Sequence, residues 1–268
     1  MAEQDELLYT LNDGIAVVTL NRPERRNALT PKLTHLLADT WKRIDDDPEV
    51  RVAVITGTYC GTFCAGMDLQ EAARLKKETG KDILEFFADL RNDGLRVVRK
   101  PLIAAINGHF PAGGMMLSLN CDIRVGLAGT RGGITEVKVG RGSPWAVPLL
   151  WMMPQALLME TVLTGDMIPA ERLHQVGFIN YLEQTPEAVL ARAMELARKI
   201  ADAAPLSVMA GKKVLKDATT LGCVPGLKAA WDHYDPVYAS EDAIEGLRRK
   251  AQAAVERSLK ETTHDHER

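Results

Sequence analysis

Two turns rich in small residues decide the fold of this chain: Phe63-Cys64-Ala65-Gly66-Met67-Asp68 and Asn107-Gly108-His109-Phe110-Pro111-Ala112-Gly113-Gly114. Each turn follows an apolar run that predicts a β-strand. Because the side chains at the turns are small, each turn leaves a backbone N–H group uncovered. Two such donors directed at one point would stabilise an oxygen on which negative charge develops during a reaction. The pair of turns therefore predicts an oxyanion-binding site where two strands end.

The composition is that of an ordinary globular protein. The 268 residues are 46% hydrophobic and 26% charged, with a net charge of -3. This size fits one domain of about 200 residues with an appendage. The lysines and arginines are scattered and give no basic field, so nucleic acid is not expected as a partner. The acidic start, Met1-Ala2-Glu3-Gln4-Asp5-Glu6, lacks the features of a signal peptide and predicts a cytoplasmic protein.

Three other classes of site or segment are disfavoured. The longest apolar stretch, Trp145 to Met159, is too short to span a bilayer and contains prolines, so it predicts a buried or interfacial helix and no membrane contact. Cys60 and Cys64 have no cluster of ligands nearby to complete a zinc site, so no metal is expected. The glycine spacings match neither a Walker loop nor a GxGxxG fingerprint.

Apolar and β-branched runs alternate with helical patterns over the first two thirds of the chain. This alternation predicts an α/β fold with a parallel component. Two glycines, Gly80 and Gly94, predict that the helical stretch Leu69 to Arg99 is broken into pieces. The predicted strands are Ile15–Leu20, Val52–Thr56, Leu102–Ile106, Asp122–Val125 and Phe178–Tyr181, and further helices are predicted over Pro31–Ile44 and Met115–Cys121.

From Pro186 onward the sequence is helical in character. One apolar face is predicted along the first of these helices, and prolines mark expected breaks between them. The face comprises Leu190, Met194, Ala197 and Ile200, and the breaks are Pro205, Pro225 and Pro236. We expect a core over residues 1–200 and a helical region over residues 201–268.

Taken together, three ordered motifs resemble those of the crotonase superfamily, which contains the enoyl-CoA hydratases and isomerases. They are the opening stretch Asn21-Arg22-Pro23-Glu24-Arg25-Arg26-Asn27-Ala28-Leu29, the turn Ala65-Gly66-Met67-Asp68-Leu69, and the second glycine turn with the following Cys121-Asp122. The resemblance covers roughly residues 10 to 250. It implies a ββα spiral core followed by a C-terminal helical region through which relatives form trimers and often hexamers.

The resemblance also implies that the backbone N–H groups of Met67 and Gly113 bind the carbonyl oxygen of an acyl-CoA thioester. The residues support Gly113 independently, since a glycine pair that opens a helix offers unshielded N–H groups at the positive end of the helix dipole. No cofactor is implied beyond the coenzyme A of the substrate. Contacts to coenzyme A are expected from Arg25, Arg26, Ala65, Asp68 and Leu69, although Asp68 is also suited to cap the following helix.

The catalytic carboxylates depart from the pattern of the hydratases. Those enzymes have two glutamates, and the resemblance places the first at Met116, which cannot exchange a proton. The second falls on Glu136, in a stretch that matches the family pattern except that Thr135 replaces a proline. We expect Met116 and Trp145 to line the substrate pocket and, with Val137, to supply the apolar surroundings that raise the pKa of a glutamate base.

A single glutamate beside an oxyanion hole suffices to move a double bond, since one carboxylate can take a proton from C2 and return it at C4. The preferred prediction is therefore isomerisation of 3-enoyl-CoA to 2-enoyl-CoA. Hydration with one glutamate stays open, as do thioester hydrolysis and acyl-CoA binding without catalysis. A serine triad of Ser118, His109 and Asp122 is less favoured than capping and core roles for these residues.

Overall fold

The chain forms two compact units, residues 1–201 and residues 202–268. The computed structural model describes residues 5–88, 98–249 and 252. Nine strands occur in this described part of the first unit: β1 (Leu7–Asn12), β2 (Ile15–Leu20), β3 (Val52–Gly57), β4 (Leu102–Ile106), β5 (Phe110–Pro111), β6 (Ile123–Leu127), β7 (Arg131–Gly133), β8 (Ile168–Pro169) and β9 (Tyr181–Glu183).

Six of the strands form one sheet in the order β1-β2-β3-β4-β6-β9. The hairpin β1-β2 is antiparallel, and the other neighbours pair in parallel. A smaller sheet has the order β5-β7-β8. The predicted α/β fold class with a parallel component is confirmed.

Helices cover the sheet and connect its strands. The α-helices of the first unit are α1 (Pro31–Asp46), α2 (Leu69–Thr79), α3 (Gly113–Leu119), α4 (Gln155–Thr164), α5 (Ala170–Gln175) and α6 (Pro186–Ala201). Short 3₁₀ helices span Pro23–Arg25, Ile83–Glu85, Glu136–Val139 and Pro144–Trp151. Of the helices in the described part of the chain, none has the length and apolarity needed to cross a bilayer.

The central strands are buried on both faces, which explains their continuous apolar sequences. In β3, Ala53 and Ile55 belong to one core cluster, whereas Val52 and Val54 belong to another. The first cluster includes residues of α1 and α3, and the second includes Val189, Ala193 and Ala197 of α6. The two clusters therefore lie on opposite faces of the sheet.

The predicted strands over Ile15–Leu20 and Leu102–Ile106 are confirmed with the same bounds, and that over Val52–Thr56 is one residue longer. The hairpin strand β1 was not predicted. The strand expected over Phe178–Tyr181 was placed too early, since β9 begins at Tyr181. Phe178 is fully buried in a turn, where its N–H donates to the carbonyl of Leu173 at 2.9 Å.

Two helix predictions also need correction, one of them at a single residue. The stretch from Trp145 to Met159 is two helices, because the 3₁₀ helix that starts at Pro144 ends at Trp151 and α4 begins after Pro154. The predicted apolar face of α6 is confirmed for Met194, Ala197 and Ile200, which pack in or against one core cluster with the buried Val189 and Ala193, whereas Leu190 is exposed. The break at Gly80 is confirmed by its left-handed φ of 74°, while Gly94 lies outside the described residues.

The second unit is helical over its described residues. It contains α7 (Pro205–Leu221), α8 (Cys223–Tyr238) and a further helix over residues 241–249. Pro205 opens α7 and Pro225 lies in the first turn of α8, as expected of prolines near helix starts. The break predicted at Pro236 is wrong, because this proline lies inside α8, which ends only two residues later.

Candidate active site

The first turn is held in place by the opening motif. Asn27 is fully buried, and its side-chain amide donates to the carbonyls of Thr58 and Thr62, both at 3.0 Å. Leu29 donates its N–H to Gly66 at 2.7 Å and accepts from the N–H of Asp68 at 2.9 Å. These bonds bracket Met67 and fix the direction of its backbone.

Asp68 has a structural role in this turn. Its carboxylate accepts from the N–H groups of Gln70 and Glu71 at the start of α2, which confirms the expected helix cap. It also forms salt bridges with Arg22 at 3.2 Å and Arg25 at 2.9 Å. Burial alone would raise the pKa of Asp68, but the hydrogen bonds from Arg25, Glu71 and Arg22 outweigh it and lower the pKa. Asp68 is therefore an ionised anchor for Arg25.

The second turn is strained at one residue. Ala112 has φ 49° and ψ -116°, a conformation that is costly for any residue with a side chain. Its N–H donates to Gly133 at 2.8 Å, and its carbonyl accepts from Met116 at 3.0 Å. The structure thus holds Ala112 from both sides, and the turn it forms sets the orientation of the next peptide, whose N–H belongs to Gly113.

The two turns are in direct contact through their glycines. A Cβ atom added to Gly113 would lie 3.0 Å from the Cα of Gly66, and one added to Gly66 would lie 3.1 Å from the nitrogen of Gly113. A Cβ on Gly114 would clash with the carbonyl of Cys64. Within the described part of the chain, the N–H groups of Met67 and Gly113 donate to no protein acceptor. Both are therefore available as hydrogen-bond donors.

Glu136 opens the 3₁₀ helix that follows β7. The indole N–H of Trp145 donates to its Oε1 at 3.1 Å, whereas Oε2 is buried and has no partner among the described residues. Burial raises the pKa of this carboxyl, although its own backbone N–H, Trp145 and the backbone of Thr135 partly oppose the shift. A carboxyl with a raised pKa and one oxygen left unbound is suited to transfer a proton.

A cavity of about 330 Å³ brings most of the predicted site residues together. Met67, Gly113, Glu136, Met116 and Trp145 all line it, as do Ala65 and Leu69. Among the described residues, Glu136 supplies the only carboxylate of the wall. Most of the remaining wall is apolar: Leu29, Leu84, Phe87, Ala88, Val139 and Pro144.

The remaining predicted residues lie outside the lining. Arg25 and Asp68 bind each other, and the side chain of Arg26 is exposed while its carbonyl accepts from the N–H of Ala65 at 3.0 Å. The triad that was disfavoured on sequence has its members engaged elsewhere. Ser118 donates to the carbonyl of Met115 at 2.8 Å, and His109 accepts from the N–H of Arg131 at 3.1 Å.

Some site residues were missed in the sequence. Leu84 and Phe87 were not predicted as pocket residues because they lie in a stretch broken by glycine, where no helical period marks a face. The hydrogen-bonding role of Asn27 was missed as well. Asn27 lies between Arg26 and Ala28-Leu29 in the opening motif. The available signal was that asparagine adopts the left-handed conformation, here with φ 53°, more readily than most residues.

Comparison with known proteins identifies the family. A model of the enoyl-CoA hydratase/isomerase family matches residues 10–256. The chain belongs to this family. It is 38% identical over 214 residues to (E)-benzylidenesuccinyl-CoA hydratase of Thauera aromatica. The matched region covers 76% of this chain and 79% of that relative. It is also 35% identical to an enoyl-CoA hydratase of Mycobacterium tuberculosis, over 88% of this chain and 90% of the relative.

The fold agrees with the family. A crystal structure of an enoyl-CoA hydratase from Mycobacterium tuberculosis superposes with a TM-score of 0.82 at 35% identity, covering 93% of this chain and 97% of the other. The crotonase-like fold expected from the three motifs is therefore confirmed. The chain is an enzyme of the enoyl-CoA hydratase/isomerase family, and acyl-CoA thioesters are the substrates that this family handles.

Proposed function

We propose that the enzyme isomerises 3-enoyl-CoA to 2-enoyl-CoA, with Glu136 as its single acid and base. The observation that carries this proposal is the cavity wall, in which Glu136 is the only carboxylate contributed by the described residues. The position that holds a second glutamate in two-carboxylate hydratases is Met116, which is buried and lines the same cavity.

In this mechanism the thioester oxygen accepts hydrogen bonds from the N–H groups of Met67 and Gly113. The ionised carboxylate of Glu136 removes a proton from C2, the electrons of that C–H bond form a C1–C2 double bond, and the carbonyl π electrons move onto the thioester oxygen. The product of this step is a dienolate, and its protonation at C4 leaves the double bond between C2 and C3. Negative charge accumulates on the thioester oxygen, where the two donors stabilise it. Glu136 then returns the proton to C4, so atoms and charge balance without water.

Trp145 positions the base for this transfer. Its hydrogen bond holds Oε1, while Oε2 has no partner among the described residues. The apolar wall raises the pKa of Glu136 toward the range in which a carboxyl both accepts and returns a proton readily.

Hydration of 2-enoyl-CoA is the second candidate. It is favoured by the two relatives described above, both of which are named as hydratases. In this reaction Glu136 alone would take a proton from water as the water oxygen adds to C3, and it would deliver that proton to C2. The single carboxylate makes this harder, because two carboxylates usually hold and polarise the water.

Coenzyme A is expected beside the opening motif and the first turn. Ala65 and Leu69 line the cavity, and the exposed side chain of Arg26 has no hydrogen-bond partner among the described residues, so it suits a phosphate of the nucleotide. Arg25 already binds Asp68, which limits it to a shared contact. We expect these residues to bind the coenzyme A portion of the substrate.

A homotrimer, or a hexamer formed from two trimers, is the proposed assembly. The second unit exposes several large apolar side chains, as a surface buried between subunits would: Leu215, Val224, Leu227 and Trp231 are each more than 60% exposed. Light scattering on the purified protein would test this state.

The reaction is tested by turnover of matched 3-enoyl-CoA and 2-enoyl-CoA esters, with the products separated by chromatography. The wild type should convert the 3-enoyl ester without water uptake, and Glu136→Gln should lose this activity. Glu160→Gln, an exposed glutamate on α4 outside the cavity, is the matched control. If the enzyme hydrates the 2-enoyl ester faster than it isomerises the 3-enoyl ester, the proposed isomerase function is wrong and hydration takes its place. Hydrolysis to free coenzyme A, or binding without any product, would overturn both.

A further inference from the structure

A guanidinium group lines a cavity whose wall is otherwise mostly apolar. Arg141 belongs to this wall, and its side chain is 27% exposed. A plain hydrocarbon chain would gain nothing from a charged group at this place and would strip part of its hydration. The position of Arg141 therefore indicates that the bound acyl group carries a polar substituent.

The backbone places Arg141 beside the proposed base. Gly140 ends the 3₁₀ helix of Glu136 in a left-handed conformation with φ 66°. The chain turns back there, and the N–H of Arg141 donates to the carbonyl of Glu136 at 3.0 Å. Glu136 and Arg141 thus arise from one turn and line one cavity.

Asp82 fixes the direction of the guanidinium. Its Oδ1 accepts from Nη2 of Arg141 at 2.6 Å and from the N–H of Leu84 at 2.9 Å. Asp82 also caps the 3₁₀ helix Ile83–Glu85, so it is itself held by the backbone. Arg141 is therefore anchored on the side of the cavity where Leu84 lies.

The anchoring leaves donors of Arg141 unused. A guanidinium has five N–H donors, and Nε and Nη1 of Arg141 bind no acceptor among the described residues. Asp82 takes one of the two N–H groups of Nη2, so the second N–H of Nη2 and an N–H of the adjacent Nη1 or Nε leave one forked edge open. Such an edge has the geometry that binds a carboxylate through two parallel hydrogen bonds. Lys138, the other cation that the described residues contribute to the wall, is 53% exposed and is paired with Asp166 at 2.7 Å.

We propose that Arg141 binds a carboxylate carried by the acyl chain, so that the preferred substrates are CoA monothioesters of unsaturated dicarboxylic acids. This inference deepens the proposed function and rests on its acyl-CoA site, but it holds equally for isomerisation and for hydration. The ion pair with Asp82 orients the guanidinium, and the open edge of the guanidinium binds the carboxylate at the end of the acyl chain.

The test compares enoyl-CoA esters that differ only at the end of the acyl chain. Pairs with six, eight and ten acyl carbons carry either a terminal carboxylate or a terminal methyl group, and kcat/KM is measured for each. At the best chain length the carboxylate ester should be favoured. Arg141→Gln should lower kcat/KM for the carboxylate ester about 10- to 100-fold and leave the methyl ester within about threefold.

Two further variants keep the result interpretable. Arg141→Lys retains the positive charge but lacks the paired N–H donors of the guanidinium. Its kcat/KM for the carboxylate ester should lie between those of the wild type and Arg141→Gln. Arg198→Gln, an exposed arginine on α6, controls for the loss of one positive charge and should change neither ester. Equal kcat/KM for the two esters in the wild type, or a carboxylate preference that survives in Arg141→Gln, would overturn the proposal.

Failure of the proposed reaction is distinguishable from failure of this inference. If neither ester is turned over, titration calorimetry of the same esters gives the dissociation constants for the wild type and Arg141→Gln. A tenfold or greater preference for the carboxylate ester that is lost in the variant supports the carboxylate site without the reaction. Equal dissociation constants would overturn it.

Discussion

Replacing Gly113 by alanine should abolish most of the catalysis while leaving the protein folded. The new Cβ would lie 2.9 Å from Cδ1 of Leu29 and 3.0 Å from Cα of Gly66, whereas ordinary contacts are 3.4–4 Å. The turn must therefore retreat by about 0.5 Å, and it carries the N–H of Gly113 with it. Loss or misplacement of one oxyanion donor costs about 100-fold or more in kcat. Because the donor acts on charge that develops during the reaction, KM should change little.

The assay for Gly113→Ala is steady-state kinetics on the preferred enoyl-CoA ester together with a thermal melt. Overpacking should cost about 1–3 kcal/mol of stability. Gly246→Ala is the control, because a Cβ there meets no atom within 4 Å, and Gly246 does not line the cavity. A CoA thioether without a carbonyl oxygen should bind wild type and variant alike. A folded Gly113→Ala protein whose kcat falls by less than about threefold would refute the role of this N–H.

The other predictions concern Glu136, its partner and the strained turn. Burial raises the pKa of Glu136 above its ordinary 4.5, so the wild type should lose stability relative to Glu136→Gln as pH rises from 4.5 through the raised pKa. The free energy of unfolding of both proteins is measured in urea at several pH values. A difference between them that is independent of pH would contradict this prediction. Trp145→Phe removes an N–H donor that lowers the pKa of Glu136, so the acidic limb of the kcat/KM profile should move to higher pH, and an unmoved limb would count against the hydrogen bond. Ala112→Gly should relieve the strained φ of 49° and raise the free energy of unfolding by about 1 kcal/mol in denaturant titrations, whereas a loss of stability would show that alanine is not strained there.

Much of the fold was predictable because its central strands are buried on both faces. Such strands have nearly continuous apolar sequences, which is why Ile15–Leu20 and Leu102–Ile106 were placed correctly. Phe178 shows where this signal fails, since it is buried in a turn and only tertiary packing distinguishes it from a strand residue. Hydrophobicity alone reports burial and does not report which backbone conformation achieves it.

The site was predictable where it depends on short motifs and not where it depends on distant pairs. The sequence identified the two glycine turns and Glu136, all of which line one cavity. It did not reveal that Trp145 donates to Glu136, nor that Arg141 binds Asp82, 59 positions away. Such pairs are set by how loops meet in three dimensions, and no local pattern records them.

The role of Glu136 as both acid and base is tested by following deuterium placed at C2 of a 3-enoyl-CoA ester. If Glu136 is the single acid and base, the 2-enoyl product of the wild type should carry part of the label at C4, because the same carboxyl removes and returns it. Glu136→Gln should give no product under the same conditions, while Glu160→Gln should match the wild type. A Glu136→Gln enzyme that still forms the product at the wild-type rate would contradict the central claim.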